Sequence, residues 1–232
     1  TTGQQPGLYG GPLYSVYKAL TAVRLAEALE EKLGKPVIPV FWVASDDHDW
    51  AEANHTYLIG TDNVLRRYEL LSPVEESRPS LHRIELAPEA DAVLGDFIKD
   101  LPTSDFAEEF VALLRDGFTS GSTMPDGFHG LLQQLLGRFG LFFTDAAHPV
   151  VKSASKDLLL EELPRAAELE SVLSATAAEL EEAGYELQVP VMEEGVNLFL
   201  EGPAGRERLY RDPAGFRLRT SAEIRTESDV HG

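Results

Sequence analysis

Residues 36–55 read PVIPVFWVASDDHDWAEANH. Val37 to Val43 form a continuous apolar run, interrupted by Pro39 alone, which gives way at once to Ser45-Asp46-Asp47-His48-Asp49. A continuous rather than alternating run predicts a strand of a parallel sheet, covered on both faces. Pro39 lacks a ladder donor and belongs at a strand start, an edge or a bulge. The polar cluster then sits where a buried strand emerges at its C-terminal end, the place where open α/β sheets bind their ligands. Four ionisable side chains in a row are costly to desolvate, so water or a partner must satisfy them.

Upstream, residues 3–18 read GQQPGLYGGPLYSVYK, a glycine-rich turn leading into a helix, with Pro12 suited to the first turn. Leu13, Val16, Leu20, Val23 and Leu29 recur at near-helical spacing, and Lys32-Leu33-Gly34 supplies a C-terminal cap. The order is turn, helix, strand. A glycine turn of this kind follows a strand, and none is legible before Thr1, so the reading is a piece of a longer protein that lacks its first strand and a C-terminal part. With that strand restored, the unit is βαβ. Its right-handed crossover puts the helix start and Ser45–Asp49 on one edge of the sheet.

Downstream, 56–59 and 64–71 read as strands around Gly60-Thr61-Asp62-Asn63, and 81–86 as a third strand after a polar, proline-containing loop. Residues 88–99, 104–118 and 128–139 read as helices, and LFFTD at 141–145 as a second buried strand. Helices over 150–163 and 164–183 precede a strand-rich tail at 187–191, 196–200, 207–210 and 216–219, with turns at 202–205 and 212–215. The fold class is therefore α/β: a Rossmann-like parallel core over 1–232, with 56–118 as an inserted subdomain and a strand-rich C-terminal segment.

With 43% hydrophobic residues in 232, the chain can bury a sizeable core. It has no cysteine, which excludes disulfides and thiolate metal sites within the chain and fits a cytoplasmic protein. No apolar run approaches the roughly 20 residues that span a bilayer. A net charge of -19 argues against nucleic acid or an anionic membrane as the principal partner.

Two segments carry candidate chemistry. Gly10-Gly11-Pro12 at a helix start offers free amides and the helix dipole to an anion. It is neither GxGxxG nor the GxxxxGK[ST] loop. Gln4 and Gln5 can hydrogen-bond a polar ligand, and Tyr14 and Lys18, four apart on one helix face, can reach the same pocket. In the second segment His48 is a candidate general acid or base, with Asp47 or Asp49 orienting it, and Ser45, Asn54 and His55 add polar contacts on the same rim. Three aspartates and a histidine in sequence cannot all face one ion, so no metal site is assigned. His82, His129, His148 and His231 stand scattered and read as surface or structural, and Thr144-Asp145, at the end of the LFFTD strand, can contribute to a pocket but reads first as a cap or turn.

TGQQPGLYGGPLYSVYKAL, VPVFWxxxxDHD and NHTY, at Thr2–Leu20, Val40–Asp49 and Asn54–Tyr57, resemble the bacillithiol-biosynthesis cysteine-adding enzyme family. Similarity continues at Gly184–Val191 and Val196–Phe199. The resemblance implies a ligase that forms an amide between L-cysteine and the amine of glucosaminyl-malate, on a core like that of class I aminoacyl-tRNA synthetases and nucleotidylyltransferases. By position it implies that Gln4, Gln5, Gly10 and Gly11 line one wall of a pocket, and Asp47, His48, Asp49, Asn54 and His55 the other. It also implies ATP by analogy, with an adenylated cysteine, and a homodimer through a C-terminal region beyond Gly232. The alternative is a nucleotide-binding module of the same fold without ligase activity.

Overall fold

The computed structural model describes all residues except 73–78, 203–204, 222, 227–228 and 231–232, and the side chains of 201 and 202. His231, part of the polar loop before residue 81 and the tip of the turn at 202–205 therefore lie outside the described residues. The elements run β1 (Thr2–Gln4), α1 (Tyr14–Leu33), β2 (Val40–Val43), α2 (Trp50–Ala53), β3 (His55–Ile59), β4 (Leu65–Glu69), α3 (Glu89–Asp100), α4 (Ala107–Gly117), α5 (Met124–Leu136), β5 (Phe142–Asp145), α6 (Pro149–Leu160), α7 (Ala166–Glu182), β6 (Gly195–Gly202), β7 (Gly205–Asp212) and β8 (Gly215–Leu218). They divide into two compact units, Thr1–Val151 and Lys152–Gly232.

In the first unit β1, β2 and β5 form an all-parallel sheet in the order β1-β2-β5. The strand expected to be missing is in the chain: Thr2–Gln4 pairs with Phe41–Val43. It escapes a reading of the sequence because three residues, two of them polar and one glycine, carry no apolar pattern. Pairing with β2 alone makes them a strand. β2 is shorter than the apolar run, beginning at Val40, so Pro39 precedes the ladder and needs no donor. Its carbonyl still accepts from the Phe142 amide at 3.0 Å.

Phe41 and Val43 are fully buried, in one cluster with Ala19 and Val23 of α1 and Phe128, Leu131 and Leu132 of α5. Both helices therefore cover the same face of the sheet. On the opposite face Trp42 is 41% exposed and Phe142 61%, so the expectation of strands covered on both sides holds on one side only. Gly34 caps α1 in the left-handed conformation, φ 62°, as its position after Lys32 and Leu33 predicts.

The hairpin β3–β4, α3 and α4 contribute Tyr68, Leu70, Leu94, Phe97, Leu114 and Phe118 to that same cluster. Residues 81–86 differ from the strand expected there. Leu81–Arg83 is one 3-10 turn, and Glu85 makes a single isolated bridge to Thr123. Thr123 caps α5, its hydroxyl accepting from the Asp126 amide, with Pro125 in the first turn where its missing donor costs nothing.

The second unit has a core of Leu160, Leu163, Ala166, Val196, Leu209, Phe216 and Leu218, under an antiparallel sheet β6-β7-β8. The stretch 187–191, expected as a strand, pairs with nothing regular. Glu170 holds this unit together by accepting from the Arg211 guanidinium and the Glu194 amide.

Candidate functional site

Parallel pairing brings the C-terminal ends of β1, β2 and β5 to one edge, with Gln4, Val43 and Asp145 in register. The Ala44 amide donates to the Gln4 carbonyl at 3.1 Å, and the Gln5 side-chain amide donates to the Asp49 carbonyl at 3.1 Å. The segment of the glycine turn and the Asp-His-Asp segment thus meet at one edge of the sheet, as the two walls of a candidate cleft.

The first wall is the turn Gly7–Gly11 and the start of α1. Gly10 and Gly11 have φ of 99° and 65°, a region closed to most side chains. A Cβ on Gly7 would stand 2.8 Å from the Gly11 Cα, so the turn closes backbone on backbone. Between them Tyr9 adopts φ 53° despite its side chain. Its ring is buried against Phe97 and Phe118 at centroid distances of 4.5 and 5.4 Å, and that packing holds the left-handed backbone in place. Burial pushes the Tyr9 phenol well above its ordinary pKa, and its hydroxyl has no hydrogen-bond partner among the described residues. Pro12 lies just before α1, its carbonyl accepting from the Ser15 amide at 2.8 Å. The Leu13 and Tyr14 amides, in contrast, have no acceptor among the described residues. Lys18, one turn in, donates to Gln4 Oε1 at 3.2 Å and to the Tyr14 hydroxyl at 3.1 Å. An ammonium has three donors, so one remains. No carboxylate neutralises Lys18 among the described residues.

The second wall is built differently. Ser45 is fully buried, and its hydroxyl meets the Asp145 carboxylate while accepting from the Ala147 amide at 3.0 Å. The Ala147 amide also donates to Asp145 Oδ1 at 2.7 Å. The 3-10 turn clamps the same loop: the Leu81 amide donates to the Asp47 carbonyl at 2.7 Å and the His82 amide to the Ser45 carbonyl at 3.1 Å. His82 Nδ1 lies 3.3 Å from that carbonyl. Asp47 Oδ1 accepts from the amides of His48 and Asp49, at 2.6 and 3.0 Å. Asp49 caps α2 by accepting from the Glu52 amide at 3.2 Å. Asn54 is buried and donates to the Leu70 carbonyl at 2.7 Å, tying α2 to β4.

Ser45 and Asn54, expected to touch a ligand, are therefore engaged inside the fold. Both were selected as polar residues near a rim, and one strand of sequence cannot reveal a partner 100 residues away. His55 Nδ1 faces the Ala51 carbonyl at 3.1 Å. His48 is different. Its ring is partly exposed, its Nδ1 is buried with no hydrogen bond among the described residues, and Asp47 Oδ1 is 3.8 Å away. His82, read from the sequence as surface or structural, lies against the Ser45 carbonyl, and Asp145, read as a cap or turn in preference to a pocket residue, meets Ser45. The position of Asp145 at the end of a second buried strand was the available signal.

Among the described residues no group of three or more His, Cys, Asp or Glu is placed to hold a metal ion, and no helix is long and apolar enough to cross a membrane. Two apolar grooves, one lined by Phe106, Phe110 and Arg138 and the other by Leu173, Tyr185 and Arg208, share no residue with the cleft.

A family model described as "Bacillithiol biosynthesis BshC, N-terminal Rossmann-like domain" matches residues 1–230. A protein of Heliobacterium modesticaldum named "Putative cysteine ligase BshC" is 36% identical over 98% of this chain and 42% of its own length. Proteins of the same name from Solibacter usitatus and Salinibacter ruber are 35% and 31% identical, over 90% and 99% of this chain and 39% and 42% of their own lengths. The chain spans about two fifths of the length of these curated relatives.

Proposed function

Because the chain belongs to the bacillithiol-biosynthesis BshC family, through its N-terminal Rossmann-like domain, we propose that it carries a substrate-binding cleft of a cytoplasmic ligase. That ligase joins the carboxyl of L-cysteine to the amine of glucosaminyl-malate as an amide. What supports this reading is a Lys18 with a donor to spare at the helix start and a His48 ring whose Nδ1 makes no hydrogen bond among the described residues, on two segments joined by the Gln5–Asp49 hydrogen bond.

Each group has a task in such a reaction. An amine attacks a carbonyl only after losing its proton, and an imidazole in hydrogen-bonding reach is a suitable acceptor. Asp47 Oδ1 lies 3.8 Å from His48 Nδ1, beside the ring that would take the proton. Lys18 and the free amides of Leu13 and Tyr14 suit a carboxylate or phosphate. A free carboxylate is a poor acceptor for an amine, so its oxygen must be made a leaving group, the chemistry that ATP supplies when bound. The glycine turn and Lys18 fit its phosphates in donor type and charge.

The test is an assay of the full-length protein with L-cysteine, glucosaminyl-malate and ATP, comparing wild type with His48→Ala. The variant is expected to lose roughly 10²- to 10⁴-fold in rate, with an unchanged unfolding midpoint. A wild-type rate would remove His48 from the chemistry, and no amide product from the wild type would sink the ligase reading itself.

A further inference from the structure

The second unit contains a cavity of about 410 Å³ that no step of the proposed reaction uses. Gly184, left-handed at φ 83°, follows the end of α7, and the Tyr185 amide donates to the Leu180 carbonyl at 2.9 Å. The chain therefore turns back along its own helix. Leu173, Ala177 and Leu180, at helical spacing on α7, line one side of the cavity, and Leu187, Val189 and Val191 of the returning segment line the other.

Three details make this more than a gap in packing. Residues 186–191, expected as part of a strand, neither donate nor accept a backbone hydrogen bond among the described residues, so their peptide groups stay open. The turn that follows is tightly held. Glu194 takes φ 59°, its amide donating to Glu170 Oε1 at 3.1 Å, and a Cβ on Gly195 would stand 2.8 Å from the Met192 Cβ. A residue with a side chain keeps such a backbone only where its surroundings impose it, and such positions cluster at ligand clamps.

The third detail is Arg208, which lines the same cavity. Its guanidinium lies 4.7 Å over the Phe199 ring, and Nη1 donates to the Val196 carbonyl at 3.0 Å and to Asn197 Oδ1 at 3.3 Å. The hydrogens on Nε and Nη2, three of the group's five donors, have no acceptor among the described residues. The neighbouring acids do not neutralise it. Glu170 is taken by Arg211, Glu194 lies 3.9 Å from Arg217, and Glu186 is exposed, where water screens its charge.

An aliphatic cavity with one unneutralised guanidinium selects an apolar body bearing a single anionic head. Sugars and nucleotides are disfavoured, because their polar groups would lie against Leu, Val and Met without partners. Planar aromatic ligands gain little, since Tyr185, the one ring of the described lining, is 67% exposed. A carboxylate matches the Nε–Nη2 edge with two parallel hydrogen bonds. An apolar cavity of about 150 Å³ holds one benzene ring, so 410 Å³ admits an aliphatic chain of medium length.

We propose that the cavity between α7 and residues 187–191 binds a medium-chain fatty acid, its chain along Leu173, Ala177 and Leu180 and its carboxylate on the Nε–Nη2 edge of Arg208. Asn197, the polar residue of the apolar run 196–200, then has a task that its neighbours in sequence do not suggest. Its Oδ1 holds one edge of the guanidinium and leaves the other for the head group. The site lies wholly in the second unit, and the inference holds whichever reaction the cleft performs.

The experiment titrates the full-length protein calorimetrically with sodium decanoate, below its micelle-forming concentration, and with 1-decanol as the uncharged probe of the same length. Decanoate is expected to saturate one site per chain, at least about tenfold more tightly than decanol. Arg208→Met should weaken decanoate about tenfold and leave decanol unchanged. Ala177→Phe, which fills the cavity from a partly exposed helix position, should abolish binding of both with the unfolding midpoint unmoved. Equal affinity for the two probes, wild-type affinity in either variant, or no saturable binding would overturn the proposal. A photoreactive diazirine analogue of decanoate locates the site without any substitution, its label expected on residues 173–192. Label concentrated elsewhere, or absent because another segment of the polypeptide or a second copy covers these residues, would overturn it as well.

Discussion

The two walls of the cleft differ in how much of their polarity is already engaged. The Asp-His-Asp wall is crowded with ionisable groups, yet Asp47 and Asp49 turn their carboxylates onto backbone amides, and Ser45 and Asn54 are buried in fixed hydrogen bonds. The helix-start wall has one charged side chain, Lys18, and it keeps a donor free beside two unpaired amides. Unsatisfied donors, rather than charge density, set the two walls apart. On the crowded wall only the rings of His48 and Trp50 keep a buried nitrogen without a partner among the described residues.

If that contrast is right, disturbing the engaged wall should cost folding, and disturbing the free wall should cost binding. Ser45→Ala leaves the Asp145 carboxylate with one donor fewer in a buried place, so stability should fall by about 2 kcal/mol. Urea denaturation reads this, and an unchanged midpoint would mean that the loop does not depend on the Ser45–Asp145 tie. Lys18→Met removes a charge-assisted contact worth about 1.5–2 kcal/mol, raising KM for the anionic substrate roughly 10- to 30-fold. Its unfolding midpoint should stay within about 0.5 kcal/mol of wild type. An equal loss of stability would erase the distinction between the walls.

The aromatic anchor beneath the glycine turn gives two subtler tests. Tyr68, buried and donating to Asp100 at 2.5 Å, has its pKa pushed up from 10.0 to about 12, chiefly by burial and then by that hydrogen bond. A phenol whose folded value lies above its unfolded one binds its proton more tightly when folded. Its contribution is fully present below pH 10 and fades as pH climbs through about 12. Stability measured across that window should fall, and Tyr68→Phe should flatten the slope. Smallest of all, Tyr9→Phe removes a buried hydroxyl with no partner and should raise stability by up to about 1 kcal/mol. A loss instead would show that the hydroxyl is satisfied in solution and that the turn leans on it.

Much of the frame around the candidate site is legible in the sequence. A continuous apolar run ending in polar residues located the β2 terminus, Gly34 ended the helix, and LFFTD gave β5. These succeeded because their signals are local: periodicity, a left-handed cap, an apolar run. Failures came where partners are distant. Thr2–Gln4 is a strand only through pairing with β2, and 81–86 became a 3-10 turn because the loop after β2 accepts its amides. The polar residues Ser45 and Asn54 looked available, since nothing nearby in sequence announces Asp145 or the Leu70 carbonyl.

The tie between Ser45 and Asp145 also bears on the order in which the molecule takes shape. It joins residues 100 positions apart. During synthesis at about 5–20 residues per second, the first helix is complete many seconds before the strand that fixes the loop behind it leaves the ribosome. Non-local parallel pairing of this kind slows folding further. The glycine turn and the start of the first helix are therefore born early, and the loop that carries His48 acquires its fixed geometry late.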